Sequence, residues 1–128
     1  MHKEGLLPTG TNLYANHRSE PYFTFVQNGQ KSIEGRLRAG MYAEVKPGDF
    51  IRVQSVDESA GVVVEITAIR EYASFADMLK AEALERVLPN VHTVDDGVAI
   101  YRSFYTEAQE RACGVVALAF KRIAPYVG

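Results

Sequence analysis

The sequence predicts one small α+β domain, a mixed β-sheet curled toward a barrel with helices packed outside it, and three observations carry that expectation. Its elements run helix, three strands, helices, strand, which is not the regular alternation of a doubly wound sheet. Its longest β-branched run, Val62-Val63-Val64-Glu65-Ile66-Thr67-Ala68-Ile69, has the length and residue types of a central strand. Its 128 residues suit a single domain, the size at which roughly two thirds of the unfolded surface becomes buried.

Each element has its own local cause. Residues 1–19 show no sustained period and are punctuated by Gly5, Pro8, Gly10 and Asn12, so a poorly structured arm is expected ahead of a domain at 20–128. Pro21 suits the first turn of a helix reaching Gln27, with Phe23 and Val26, or Tyr22 and Phe25, on its apolar side; Asn28-Gly29 ends it. Residues 31–37 alternate, Ile33 and Leu37 facing one way and Ser32, Glu34 and Arg36 the other, which is the period of a half-buried strand. Lys46-Pro47-Gly48-Asp49 is a turn sequence, and Phe50-Ile51-Arg52-Val53 behind it reads as a second strand. A further turn at 57–61 leads into the β-branched run. Ser74 is placed to cap a helix in which Phe75, Met78, Leu79, Val87 and Leu88 recur near helical spacing until Pro89 stops it. Thr93 caps the next, which bears Val94, Val98, Tyr101 and Tyr105, and Thr106 with Gln109 has capping-box spacing for a short third, broken by Gly114. Residues 115–120 are apolar throughout, as in a strand buried on both faces.

Composition narrows the function classes. A hydrophobic fraction of 47% and a charged fraction of 23% are those of an ordinary globular protein, and no stretch reaches the ~18 apolar residues of a membrane helix. The N-terminal residues lack the apolar region of a signal peptide, and the one cysteine, Cys113, cannot form an internal disulfide, so a cytoplasmic location is expected. A net charge of -2 argues against a protein that coats nucleic acid through an overall positive field, while leaving room for a local basic patch. There is no phosphate-binding glycine loop, no Cys-x-x-Cys pair and no nucleophile elbow, and His2, His17 and His92 are not spaced as metal ligands. No metal, cofactor or membrane partner is implied.

Chemistry is therefore concentrated in residues 31–36. Lysine and arginine contact phosphates or base edges, and glutamate accepts from exocyclic amino groups, so Lys31, Glu34 and Arg36 suit a nucleotide; a solvated ion-pair ladder on a strand fits the same pattern equally well. Glu65 also has two readings, a half-buried carboxylate with a raised pKa partnering Lys31, or an outward, solvated one.

Taken together, Gly29, the segment Lys31-Ser32-Ile33-Glu34-Gly35-Arg36-Leu37, Pro47-Gly48-Asp49, Val64-Glu65-Ile66, the Leu88-Pro89 helix ending, residues 101–105 and Gly114 resemble the ASCH domain, whose fold is related to the PUA-like RNA-binding barrels. The resemblance runs from about residue 22 to residue 120. It implies a barrel with a cleft lined by Gly29, Lys31, Glu34 and Arg36, with Ser32 and Arg38 as neighbouring ligand contacts and RNA or a nucleotide as partner. Some ASCH-like proteins are amidohydrolases of an acetylated cytidine, using a lysine, a threonine three residues later and a glutamate on a later strand. Lys31 and Glu65 match two of those positions as candidate catalytic residues, but Glu34 stands where the hydroxyl is needed. Another branch resembles a ribonuclease, in which Lys31 would stabilise the phosphorane and Ser32, Tyr105 or Thr106 relay a proton. The expectation is thus an RNA- or nucleotide-binding cleft holding Glu34 and Arg36 with Lys31 at its mouth, and hydrolysis of RNA or an acylated nucleoside as the alternative.

Overall fold

The computed structural model describes residues 10–123. Its elements are β1 (Leu13–Arg18), α1 (Tyr22–Asn28), β2 (Ile33–Leu37), β3 (Phe50–Ser55), β4 (Gly61–Tyr72), α2 (Phe75–Ala81), α3 (Leu84–Val87), α4 (Val94–Arg102), α5 (Glu107–Cys113) and β5 (Val115–Arg122). They form one five-stranded sheet in the order β1-β3-β4-β5-β2, with β1 parallel to β3 and every other pair antiparallel. The mixed sheet curls into a half-barrel, with β1 and β2 as its two edge strands among the described residues.

Two cores flank β5. Val116, Leu118 and Phe120 point into the half-barrel, where they meet Ile51, Val53, Val64 and Ile66 and the α1 residues Phe23 and Val26. Val115 and Ala117 point the other way, against Phe75, Met78, Leu79, Val87, Leu88 and Tyr101 of the helical layer. That double burial is why the last strand is apolar at every inner position. The ladder between β4 and β5 shifts register between Ile66 and Ala68, a bulge of the kind that bends a strand and so helps the sheet curl.

The expected caps are in place: Ser74 accepts from the Asp77 amide, Thr93 from Asp96, and Thr106 and Gln109 make a reciprocal capping box. Gly29 ends α1 at φ 88°. The helix expected from Ser74 to Leu88 is instead two, α2 and α3. It breaks at Glu82, which turns extended (ψ 163°) because its carboxylate is held by Arg70 of β4 through a two-pronged pair at 2.6 and 2.7 Å and by the Tyr72 hydroxyl.

The expected arm is also corrected. Its residues 13–18 form β1, whose inward side chains, Tyr14, Asn16 and Arg18, are aromatic or polar and give no apolar alternation to read. Asp49 anchors the start of this strand: its carboxylate takes the Asn12 and Lys46 amides, and the Phe50 amide donates to Asn12 O. Residues 1–9 of that arm lie outside the described residues. Among the described residues, no helix is long and apolar enough to cross a membrane.

Candidate functional site

The edge strands β1 and β2 face each other across the open side of the half-barrel, and the charges gather there. Strand alternation sends Ile33 and Leu37 of β2 to the helical core and Glu34 and Arg36 toward the opening, where Arg18 arrives from the end of β1. Glu34 accepts from all three neighbouring cations: Oε1 from Lys31 Nζ at 3.1 Å, and Oε2 from Arg36 Nε at 3.1 Å and from Arg18. Three positive charges thus share one carboxylate. Lys31 is 2% exposed, and its ammonium also donates to the carbonyls of Ile33 and Val87, so its three donors are spent inside the protein. Arg36 spends only Nε on Glu34; its guanidinium lies 4.9 Å from the Tyr42 ring centre, and its terminal nitrogens have no protein partner among the described residues.

Above this cluster lies a cleft of about 260 Å³. One wall is His17, Arg18, Ser19 and Tyr22, the other is Ile100, Tyr101, Phe104 and Tyr105 from α4 and the turn after it. The second wall is stiff: Tyr101 and Tyr105 both stack on Phe75, at 4.2 Å and 5.6 Å between ring centres. The turn is pinned by the Phe104 and Tyr105 amides on Tyr101 O and by Arg102 on Glu110. Phe104 is nevertheless 70% exposed at the rim. Its ring is thereby presented at the mouth of the cleft.

Burial perturbs these groups. Desolvation, then the positive charges of Arg18 and Arg36, hold Lys31 well below its ordinary pKa of 10.5. Desolvation, with Arg36, lowers Arg18 to about 10, and burial raises the Tyr101 phenol, so that it stays a neutral donor at physiological pH. For Lys31 the consequence for stability has a definite sign. Between its depressed folded pKa and 10.5 the unfolded chain binds more protons than the folded one, so stability rises with pH across that window. Lys31→Met removes this contribution. Unfolding in urea at stepped pH should show wild type gaining on Lys31→Met as the pH rises toward 10.5; parallel pH profiles would contradict the assignment.

The family model of the ASCH domain matches residues 18–124. This chain belongs to the ASCH domain family. It is similar to the crystal structure of the hypothetical protein PH0355, at 37% identity over 88% of this chain and all of that one, with a TM-score of 0.79. It is similar also to the solution structure of protein PF0455 from Pyrococcus furiosus, at 33% identity over 87% of this chain and 97% of that one, with a TM-score of 0.70. A point mutant of an ASCH protein from Zymomonas mobilis shares the fold at 12% identity over 90% of this chain and 70% of that one (TM-score 0.56). No curated protein matches the chain.

Within this ASCH domain the residues singled out from sequence divide into two groups. Lys31, Glu34 and Arg36 come together, but Lys31 sits beneath Glu34 as a buried support, where the mouth of the cleft was expected. Tyr105 lines the cleft wall. Arg38 lies outside, paired at 3.1 Å with Glu71 on an exposed surface. Glu65 is not a partner of Lys31: its neighbours on β4, Val64 and Ile66, fill the barrel, so Glu65 points outward and meets Lys121 at 3.8 Å. Thr106 uses its hydroxyl to cap α5. Gly29 and Ser32 border a separate hollow with Lys121 and Arg122. The cleft residues that sequence reasoning missed are His17, Arg18, Tyr22, Tyr101 and Phe104. Among the described residues, no group of three or more His, Cys, Asp or Glu side chains is placed to hold a metal ion.

Proposed function

We propose that this ASCH domain is a cytoplasmic RNA- or nucleotide-binding module, its cleft taking a phosphate on Arg36 and Arg18 and a base against the aromatic wall. The observation that carries the reading is the excess of two positive charges left when Arg18, Lys31 and Arg36 share Glu34 beneath that wall. Arginine's planar fork suits phosphate oxygens, and aromatic faces stack any base. The cleft's volume is near the small end of ligand pockets, roughly 300 to 1,000 Å³, which favours one nucleotide unit inside it. The single Cys113 supports the cytoplasmic assignment.

Hydrolysis in the same cleft finds less support. A lysine with a lowered pKa suits a base, but the Lys31 nitrogen is enclosed by two carbonyls and Glu34, leaving no lone pair toward a ligand. Glu34 occupies the position where the deacylating relatives carry a hydroxyl, and Glu65 lies away from the cleft on the outer face of β4.

The reading has a direct test in titrations of short single-stranded RNA across a salt series. Two or three phosphate contacts should give a shallow log–log slope, about 0.7 per phosphate. Arg36→Gln should lower affinity about tenfold and flatten the slope by one contact. Phe104→Ala should lose about 1 kcal/mol of stacking while leaving folding stability unchanged. Affinity indifferent to salt and to both substitutions would end the proposal.

A further inference from the structure

Lys31 borders two hollows. Beyond the cleft, Gly29, Lys31, Ser32, Phe120, Lys121 and Arg122 surround a shallow depression of about 320 Å³. None of these six carries a carboxylate. At its floor the Phe120 amide donates to Ser32 O at 2.9 Å, so the start of β2 and the end of β5 are locked together there.

Arg122 lies across Gly29. A Cβ at position 29 would stand 3.2 Å from its terminal nitrogen Nη2, and the φ of +88° there disfavours a side chain independently. The other terminal nitrogen donates to Gln27 O at 2.6 Å, which fixes the guanidinium over the turn. Nε and Nη2 have no protein partner, and Arg122 pairs with no carboxylate, among the described residues. A free surface arginine samples many rotamers; this one is tethered, so less entropy is lost when its remaining donors bind. Lys121, the preceding residue, points to the opposite face of β5, where it meets Glu65 at 3.8 Å, so Arg122 is the cation of this depression.

We infer that this depression is a phosphate subsite built from Arg122 and the Ser32 hydroxyl, and that the ligand of the domain is a single-stranded oligonucleotide. The inference rests on the cleft reading above and extends it: one nucleotide occupies the cleft, and the phosphate of its neighbour sits on Arg122. Gly29 and Ser32 thereby acquire a place that the cleft does not give them. Gly29 leaves room for the arginine, and Ser32 offers a hydroxyl donor.

The test compares a nucleoside monophosphate with a dinucleotide and a hexanucleotide of the same base, each titrated into wild type, Arg122→Gln, Ser32→Ala and Arg36→Gln by fluorescence competition. Wild type should bind the hexanucleotide at least tenfold more tightly than the monophosphate. Arg122→Gln should lose five- to tenfold on the oligonucleotides, flatten their salt slope by about 0.7, and leave the monophosphate unchanged. Ser32→Ala should do the same more weakly, an independent check should the first variant fold poorly. Arg36→Gln should weaken every ligand. Equal wild-type affinity for monophosphate and oligonucleotide, or an oligonucleotide advantage intact in both Arg122→Gln and Ser32→Ala, overturns the subsite while leaving the cleft. A wild type that binds none of the ligands overturns the cleft reading, and the subsite with it.

Discussion

Glu34→Ala is expected to cost about 3 to 5 kcal/mol of folding free energy, the range for removing one partner from a buried charge network. Glu34 is 8% exposed and, among the described residues, is the only carboxylate on Arg18, Lys31 and Arg36. Without it three cations face one another where water reaches poorly, and the desolvation and repulsion that already depress Lys31 go unopposed. Glu34→Gln should be nearly as costly, since it keeps the shape and loses the charge. Lys31→Met should cost less, because Glu34 retains both arginines. Glu71→Ala provides the contrast: its pair with Arg38 is exposed on both sides and should contribute under about 1 kcal/mol. Urea unfolding at neutral pH ranks the four variants. The Glu34→Ala deficit should also shrink as the pH rises, because the unpaired Lys31 sheds its proton more readily. A Glu34→Ala protein within about 1 kcal/mol of wild type would show that the cluster is solvated.

The same cluster shows what the sequence can disclose. Glu34 and Arg36 are legible because β2 alternates, and Ile33 and Leu37 leave those two only one direction to face. Ser74, Thr93, Thr106 and Gly29 are legible because a cap is made between residues three or four apart. Arg18 is not: it reaches Glu34 only because β1 pairs in parallel with β3, far along the chain, and nothing local encodes that. The inward residues of β1 are polar, so hydrophobic periodicity passes over the strand. The depth of Lys31 is hidden for a related reason. It precedes the strand, and what buries it is the Val87 carbonyl and the Tyr22 ring, which come from α3 and α1. The break at Glu82 likewise depends on Arg70 and Tyr72 of β4, residues that no helical period connects to it.

Gly35→Ala is expected to destabilise the domain by about 1 to 3 kcal/mol, and to lower RNA affinity with it. Glycine inside a strand weakens it unless something approaches closely, and here two side chains do. A Cβ at position 35 would stand 2.5 Å from Met78 Cε and 2.6 Å from the Tyr101 hydroxyl. Met78 can rotate away, since its end is flexible. Tyr101 cannot, because its ring is stacked at 4.2 Å and 7° on Phe75, and a retreat would break that stack and shift the cleft wall. The hydroxyl therefore decides the outcome. It makes no hydrogen bond to a protein group among the described residues, so Tyr101→Phe alone should be close to neutral. Combined with Gly35→Ala it removes the 2.6 Å approach and leaves the ring carbon at 3.1 Å, so the double variant should recover part of the lost stability and affinity, a coupling of about 1 kcal/mol by double-mutant cycle. Strictly additive losses would place the cause in the backbone of β2 and not in the contact with Tyr101.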